Sequence, residues 1–312
     1  MSLGLSKSAQ KSVDPGWAMT PVHLVRLPCL MERGQGRPEI TVALIDGPVA
    51  LDHPDLAGST IREIPRKLKG TCTLADSVAC THGTFVAGML SARRGSVAPG
   101  ICPGCTLLLR PIFAETTKGN GQMPSATPEE LAVAIIDSVD AGARVINLSS
   151  ALIRPSPGGE SKLEEAFNHA AHRGVIIVAA AGNQGTVGSS TITRHPWVIP
   201  VAACGMQGNP PYESKLGGSI GKRGLSAPGV NVTSLGTNGK PQTFGGTSAA
   251  APFATGTIAL LWSEFRGATA AQVKLAVTQA GMPSRGTIAP PVLDAEAAYE
   301  AMTSAYSGRR VA

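Results

Sequence analysis

Aromatic residues are scarce in this 312-residue chain: Phe, Tyr and Trp together make up 4 % of it. Its core therefore has to be assembled mostly from Ala, Val, Leu and Ile, and hydrophobic residues still reach 43 %. Charge is also sparse, at 15 %; with 37 Gly and 24 Pro, this is the composition of a turn-rich folded protein, not a disordered one. No apolar run approaches the roughly 18 residues that a membrane-spanning helix needs. The N-terminus, "MSLGLSKSAQKSVDPGW", lacks the apolar stretch of a secretory signal, so a cytoplasmic location is expected. The net charge of +6 comes from scattered residues, densest at 66–70, 92–95 and 307–310. No basic helix or aromatic-interleaved stripe accompanies them, so nucleic acid is not an expected partner and a solvated surface is. Among six cysteines (29, 72, 80, 102, 105 and 204) there is a single C-x-x-C, which is too few ligands for a zinc site. Neither a metal nor another cofactor is expected. Cys72 and Cys80 bracket a short loop just before His82; they are candidates for a disulfide that would stiffen it, or for free thiols in a reducing compartment.

What the chain does have is alternation. Continuous apolar, β-rich runs at 39–46, 106–113, 143–150, 174–182 and 197–204 read as strands covered on both faces. Helical patterns lie between and after them, at 81–92, 127–142, 161–174, 247–265 and 269–281. The second starts with Thr127, Pro128 and two glutamates and stops at Gly142; the third pairs Ser161 with Glu164 as a capping box and stops at Gly174. This order predicts an α/β fold with a mostly parallel central sheet and helices on both faces. No linker divides it, so we expect one domain over residues 17–306, a flexible N-terminal tail at 1–16 and a C-terminal tail at 307–312.

Ligands of such sheets bind at the carboxyl ends of the strands. Six polar residues fall there or at helix starts; Asn147 and Ser149 lie near the end of the third strand, and four others carry the argument. Asp46 ends the first strand in "ALIDGPV", and Asn183 follows the fourth in "AAAGNQG". His82 opens a helix in "THGTFVAGML", and Ser248 opens another in "FGGTSAAAPFATG". Singly, each has an ordinary structural reading as a turn residue, a core histidine or a cap. Jointly they are what acyl transfer needs. A serine hydroxyl is a weak nucleophile until an imidazole takes its proton. The imidazole needs a carboxylate to fix its tautomer, and the oxyanion needs preorganised donors such as an amide side chain and a helix N-terminal N–H. The imidazole must be neutral to act, so activity is expected to rise through roughly pH 6–7.5.

These segments, together with "VALIDGPVALDHPDL" and "VINLSS", resemble in order the signature segments of the subtilisin-like serine proteases, the subtilases, over about residues 39–265. The resemblance implies their three-layer α/β fold, with Asp46 as orienting carboxylate, His82 as general base and acid, Ser248 as nucleophile, and Asn183 with the Ser248 N–H as the oxyanion hole. It also implies a cleft between Leu148, Ser149, Ser150 and Ala151 on one side and Ala179, Ala180, Ala181 and Gly182 on the other, where a peptide adds as an extended strand. The small residues around Ser248 would let that peptide's backbone come close.

Departures from the family pattern refine this expectation. Phe85 replaces a second histidine at a packed position, Ala151 replaces a cleft glycine, and Ala249 replaces the usual Met after the nucleophile. Many secreted members carry a calcium loop after the histidine helix; here "SARRGSVAPGICPGC" is short and basic, and no calcium is expected. Fewer than 40 residues precede the first strand, less than the usual inhibitory propeptide, which fits an intracellular processing enzyme. "LIDGPVALDHPDL" and "CTLLLRPIF" look most like subtilases of ribosomal-peptide maturation that remove leader peptides, as in cyanobactin pathways. Related macrocyclases carry a helical insertion between the Asp and His motifs, for which the 35 residues between Asp46 and His82 leave little room. The expected function is thus a serine endopeptidase acting on a peptide or precursor. The alternatives are a macrocyclase or transpeptidase, and a silent subtilase-like module that only holds peptide, against which the complete Asp, His, Ser and Asn set speaks. Oligomeric state is not legible.

Overall fold

The apolar runs become the interior of a parallel sheet. The computed structural model describes residues 20–116, 125–149, 158–279 and 288–307. The sheet strands are β1 Thr41–Ile45, β2 Ile61–Glu63, β3 Thr106–Leu109, β4 Val145–Leu148, β5 Ile176–Ala180, β6 Val198–Cys204 and β7 Leu225–Pro228. They lie in the order β2-β3-β1-β4-β5-β6-β7, every neighbouring pair parallel. β8 Val232–Leu235 and β9 Pro241–Phe244 form a separate antiparallel hairpin. The helices are α1 Pro21–Leu24, α2 Pro28–Met31, α3 Val78–Ser91, α4 Pro128–Asp140, α5 Gly159–His172, α6 Thr191–Arg194, α7 Gly218–Arg223, α8 Thr247–Glu264, α9 Ala270–Gln279 and α10 Ala295–Ser307.

Alternate residues of each strand feed opposite layers. Val42 and Leu44 of β1 join the core made with α3, α8, α9 and α10, while Ala43 and Ile45 join the core made with α4 and α5. This is the expected three-layer arrangement. Each buried Leu or Phe in these layers adds about 1.5–3 kcal/mol over leaving it in water. α8 runs through the first layer with nearly every residue buried. Its Thr255 hydroxyl donates to Asn147 Oδ1 of β4 at 2.7 Å, and both residues are fully buried. The Asn147 amide in turn donates to Ser149 Oγ at 2.5 Å. A polar bridge thus fixes the central helix against the strand end that approaches the site.

Several boundaries differ from the sequence reading. α3 starts at Val78 after Ser77, so His82 is its fifth residue and does not open the helix. Residues 78–80 carry no start signal, but Cys80 is tied to Cys72 and Ser77 accepts from both the Thr81 N–H and hydroxyl. α5 starts at Gly159, not Ser161, because Gly158 takes a left-handed backbone that turns the chain into the helix early. α4 keeps its predicted start, a complete capping box between Thr127 and Glu130. α10 runs through Ser307, one residue into the predicted C-terminal tail. The rest of that tail, the tail at 1–16, and Ser150 and Ala151 of the predicted cleft wall lie outside the described residues. Among the described residues no helix is long and apolar enough to cross a membrane.

Replacing Thr255 by Val should leave the Asn147 carbonyl oxygen buried and unpaired, at a cost of about 1–3 kcal/mol. The check is a lowered melting temperature, with activity per folded molecule unchanged.

Candidate active site

Two glycines bring the strand end and the helix together. A Cβ on Gly47 would run into the Ala79 carbonyl, and a Cβ on Gly83 would run into the carbonyls of Gly47 and Pro48. Backbone therefore packs directly on backbone where β1 ends against α3. Thr84 Oγ1, fully buried, accepts from Ala50 N–H at 2.9 Å and anchors the chain beyond the turn.

This contact sets Asp46 Oδ1 2.7 Å from His82 Nδ1. The Asp46 side chain is fully buried and that of His82 is 14 % exposed. Oδ1 also accepts from the Gly47 N–H at 2.7 Å, while Oδ2 is buried with no protein donor among the described residues. The imidazole is thus the principal counterion of the carboxylate. Its Nδ1 is occupied, which leaves Nε2 as the basic nitrogen. Burial pushes the His82 pKa down, but the charge of Asp46 and its hydrogen bond outweigh burial, and the net value lies above the ordinary 6.5. Beneath the ring lies Phe244 of β9, with centroids 6.4 Å apart and planes 27° apart. Phe85, 1 % exposed, also packs against Phe244, with centroids 4.9 Å apart, so the position of the missing second histidine is a packing position.

Ser248 sits in the first turn of α8, two residues beyond Gly246, which has φ +91°. A side chain on Gly246 would stand 2.8 Å from Asn183 Nδ2, so only glycine lets the amide lie against this turn. Asn183 Oδ1 accepts from the Thr247 N–H at 2.8 Å and from its hydroxyl at 3.1 Å. The Thr247 hydroxyl also accepts from the Gly182 N–H at 3.1 Å. With its oxygen held twice, Asn183 presents Nδ2 as a donor. In the same turn, the Thr247 N–H goes to Asn183, and the N–H groups of Ala249 and Ala250 go to Gly246 O. The Ser248 N–H has no protein acceptor among the described residues. Two donors are therefore left at the start of a helix whose dipole favours negative charge. No hydrogen bond joins the Ser248 hydroxyl to His82 among the described residues; such contacts tighten in a substrate complex.

The structure brings the two predicted cleft segments together as adjacent strand ends, with Leu148 paired in register with Ala179. The side chains of Leu148 and Ala179 point into the core with α4 and α5 and are fully buried. Ser149, Ala180 and Ala181 are also buried. What these segments can offer a peptide is backbone. The sequence reading did not assign the roles of Thr247, Phe244 and the pair Gly47 and Gly83, although each lies inside one of the quoted motif segments.

Cys72 and Cys80 are joined as a disulfide, Cα atoms 5.6 Å apart. With Glu115 they make the one group among the described residues close enough to hold a metal ion. The sulfurs are bonded to each other, and Glu115 already accepts from the N–H groups of Thr73 and Leu74 at 2.8 and 2.7 Å and from the Thr73 hydroxyl, so the group does not fit a metal. Nor does the segment after α3 fit calcium. The Arg94 guanidinium there collects the carbonyls of Met31, Gly34 and Ile101, at 2.8, 3.1 and 2.7 Å.

A profile of the subtilase family (Peptidase S8) matches residues 37–295, and the chain belongs to that family. It is 28 % identical to subtilisin amylosacchariticus of Bacillus subtilis subsp. amylosacchariticus over 261 residues, 81 % of this chain and 63 % of that protein. The chain thus spans under two thirds of the length of the first curated relatives it matches. Among solved structures, the protease domain of PatA superposes with a TM-score of 0.78 at 30 % identity, covering 87 % of this chain and 98 % of that one. The prenylagaramide maturation protease PagA gives 0.77 at 29 %, covering 89 % and 98 %.

If His82 serves as the base it must first lose its proton, and since its pKa is raised, activity is then expected to fall with acid through a value above 6.5. Asp46→Asn removes both interactions that raise it and leaves burial, so the acid limb should move to lower pH. The same change should cost on the order of 10⁴-fold in kcat. A pH profile of kcat/KM for the two proteins checks both outcomes.

Proposed function

We propose that this chain is a serine endopeptidase, with Ser248 as nucleophile, His82 as base and Asp46 as its orienting carboxylate. The observation that carries the reading is the convergence of the buried Asp46–His82 pair with a helix start offering the Ser248 N–H and Asn183 Nδ2. In the proposed reaction Ser248 Oγ attacks the peptide carbonyl and its proton passes to His82 Nε2. The imidazolium is held by Asp46, and the oxyanion takes its two hydrogen bonds from Ser248 N–H and Asn183 Nδ2. Nε2 then protonates the leaving amine, and water enters by the same route to release the acyl group.

The natural substrate proposed is a ribosomal precursor whose leader is removed. Support comes from the likeness to PatA and PagA, each named as a maturation protease. Hydrolysis is favoured over ring closure because residues 47–77 hold only a 3-10 turn, Pro54–Leu56, and strand β2, with no α-helix among them. Disulfides persist in oxidising compartments; action in the cytoplasm, as read from the sequence, requires Cys72–Cys80 to be reduced there.

A fluorophosphonate probe should add once to the wild type and not to Ser248→Ala, by intact mass, and a cleaved peptide should appear as linear product. No adduct on folded wild type overturns the reading in favour of a silent peptide-binding module, and cyclic product overturns it in favour of macrocyclisation. Asn183→Asp keeps the acceptor that holds Thr247 but loses the donor, so kcat should fall about 10²–10³-fold with the fold intact, as checked by single-turnover kinetics and circular dichroism.

A further inference from the structure

A cavity of about 580 Å³ opens beside the nucleophile turn, lined by Asn183, Gly246 and Phe244 and by Glu213. Its position relative to His82 says which part of a peptide it can hold. His82 hands its proton to the leaving amine, so the residues after the scissile bond pass on the His82 side. Phe244 lies under the His82 ring and is also a wall of this cavity. The acyl side of the peptide runs instead along the ends of β4 and β5. The cavity is therefore on the leaving-group side.

The segment that carries Glu213 is held in place by backbone hydrogen bonds. Glu213 O accepts from the Gly185 N–H at 2.9 Å, and Lys215 N–H donates to Gly182 O at 2.8 Å. Between them Ser214, 4 % exposed, accepts from the Ala203 N–H of β6 at 3.0 Å. Segment 211–215 is thus fastened to the loop that carries Asn183. Glu213 is exposed and is the only charged residue lining the cavity among the described residues. Its carboxylate makes no ion pair or hydrogen bond among them, and Lys215, the nearest cation in sequence, does not line the cavity. The other lining side chains are uncharged: Pro211, Val230 and Phe244 are apolar, while Asn231 and Thr243 are polar. A partly apolar cavity with one unpaired carboxylate suits a side chain with an aliphatic stem and a cationic head.

We propose that this cavity receives one of the first two residues after the scissile bond, and that Glu213 selects lysine or arginine there. The proposal rests on the hydrolytic reading of Ser248. A half-exposed charge pair of this kind gives selectivity of about three- to tenfold at low salt and little at 1 M salt.

The test uses peptides identical on the acyl side that carry Lys, Gln or Glu at the first or second position after the cleaved bond, and an ester of the same acyl group with no residue beyond it. Wild type should favour Lys over Glu about three- to tenfold in kcat/KM, mainly through KM, and lose the preference at high salt. Glu213→Gln should bring the ratio to within about twofold while Glu213→Asp keeps it, and both should hydrolyse the ester as wild type does. Equal use of Lys and Glu peptides by wild type, or a preference that survives in Glu213→Gln, overturns the proposal. If wild type cleaves none of the substrates and takes no fluorophosphonate, the hydrolytic reading is overturned. The same peptides titrated onto Ser248→Ala by fluorescence anisotropy then decide the charge preference separately: no Lys-over-Glu difference there overturns it too.

Discussion

The contact on which the site depends is backbone against backbone, between Gly47 after β1 and Gly83 in α3. Any Cβ at either position would push helix and strand apart. Because neither has one, a fully buried carboxylate meets an imidazole at 2.7 Å. A buried charge is costly unless it is paired, and here the pairing uses Nδ1 and leaves the imidazole Nε2 uncommitted to the carboxylate. Asp46 has its second oxygen without a protein donor among the described residues. The imidazole therefore supplies most of what the carboxylate lacks, and gains basicity in return.

The second half of the site follows a different logic. At the start of α8, Thr247 uses both its N–H and its hydroxyl on Asn183, and the hydroxyl also receives Gly182. One short side chain thereby aligns a helix, the end of β5 and the amide that faces the site. The preorganisation is complete before any ligand arrives, which is the condition under which such donors contribute most to a rate. The Asn147–Thr255 bridge, two turns further along the same helix, keeps the central strands in step with it.

Much of this was legible in the sequence, for a physical reason. Asp46, His82, Asn183 and Ser248 are polar residues at the ends of apolar runs, where neither a core nor a solvated surface explains all of them at once. The five buried strands and α4 were visible because their patterns are local: continuous apolar runs, a Thr-Pro-Glu start, a glycine stop. β2 and β9 are mostly exposed or half-buried, and β7 (LSAP) and β8 (VTSL) break their apolar residues with Ser, Thr or Pro, so none of the four forms a continuous apolar run. α10 was missed because its apolar face is thin, with Ala295, Ala298 and Met302 the buried residues. The roles of Phe244 beneath His82 and of Glu213 in the cavity beside Gly246 could not be read at all. Each matters through a neighbour far away in the chain, and no spacing rule connects them.

Arg94 shows how this chain orders the loop after its histidine helix. Three carbonyls, from Met31, Gly34 and Ile101, converge on a guanidinium that is covalently part of the protein. A free ion in such a place stabilises in proportion to the logarithm of its concentration and is lost to any stronger chelator. A tethered cation has no such dependence: its local concentration is set by the chain itself. The contact that orders this loop is therefore set by the fold and not by the concentration of an ion in solution.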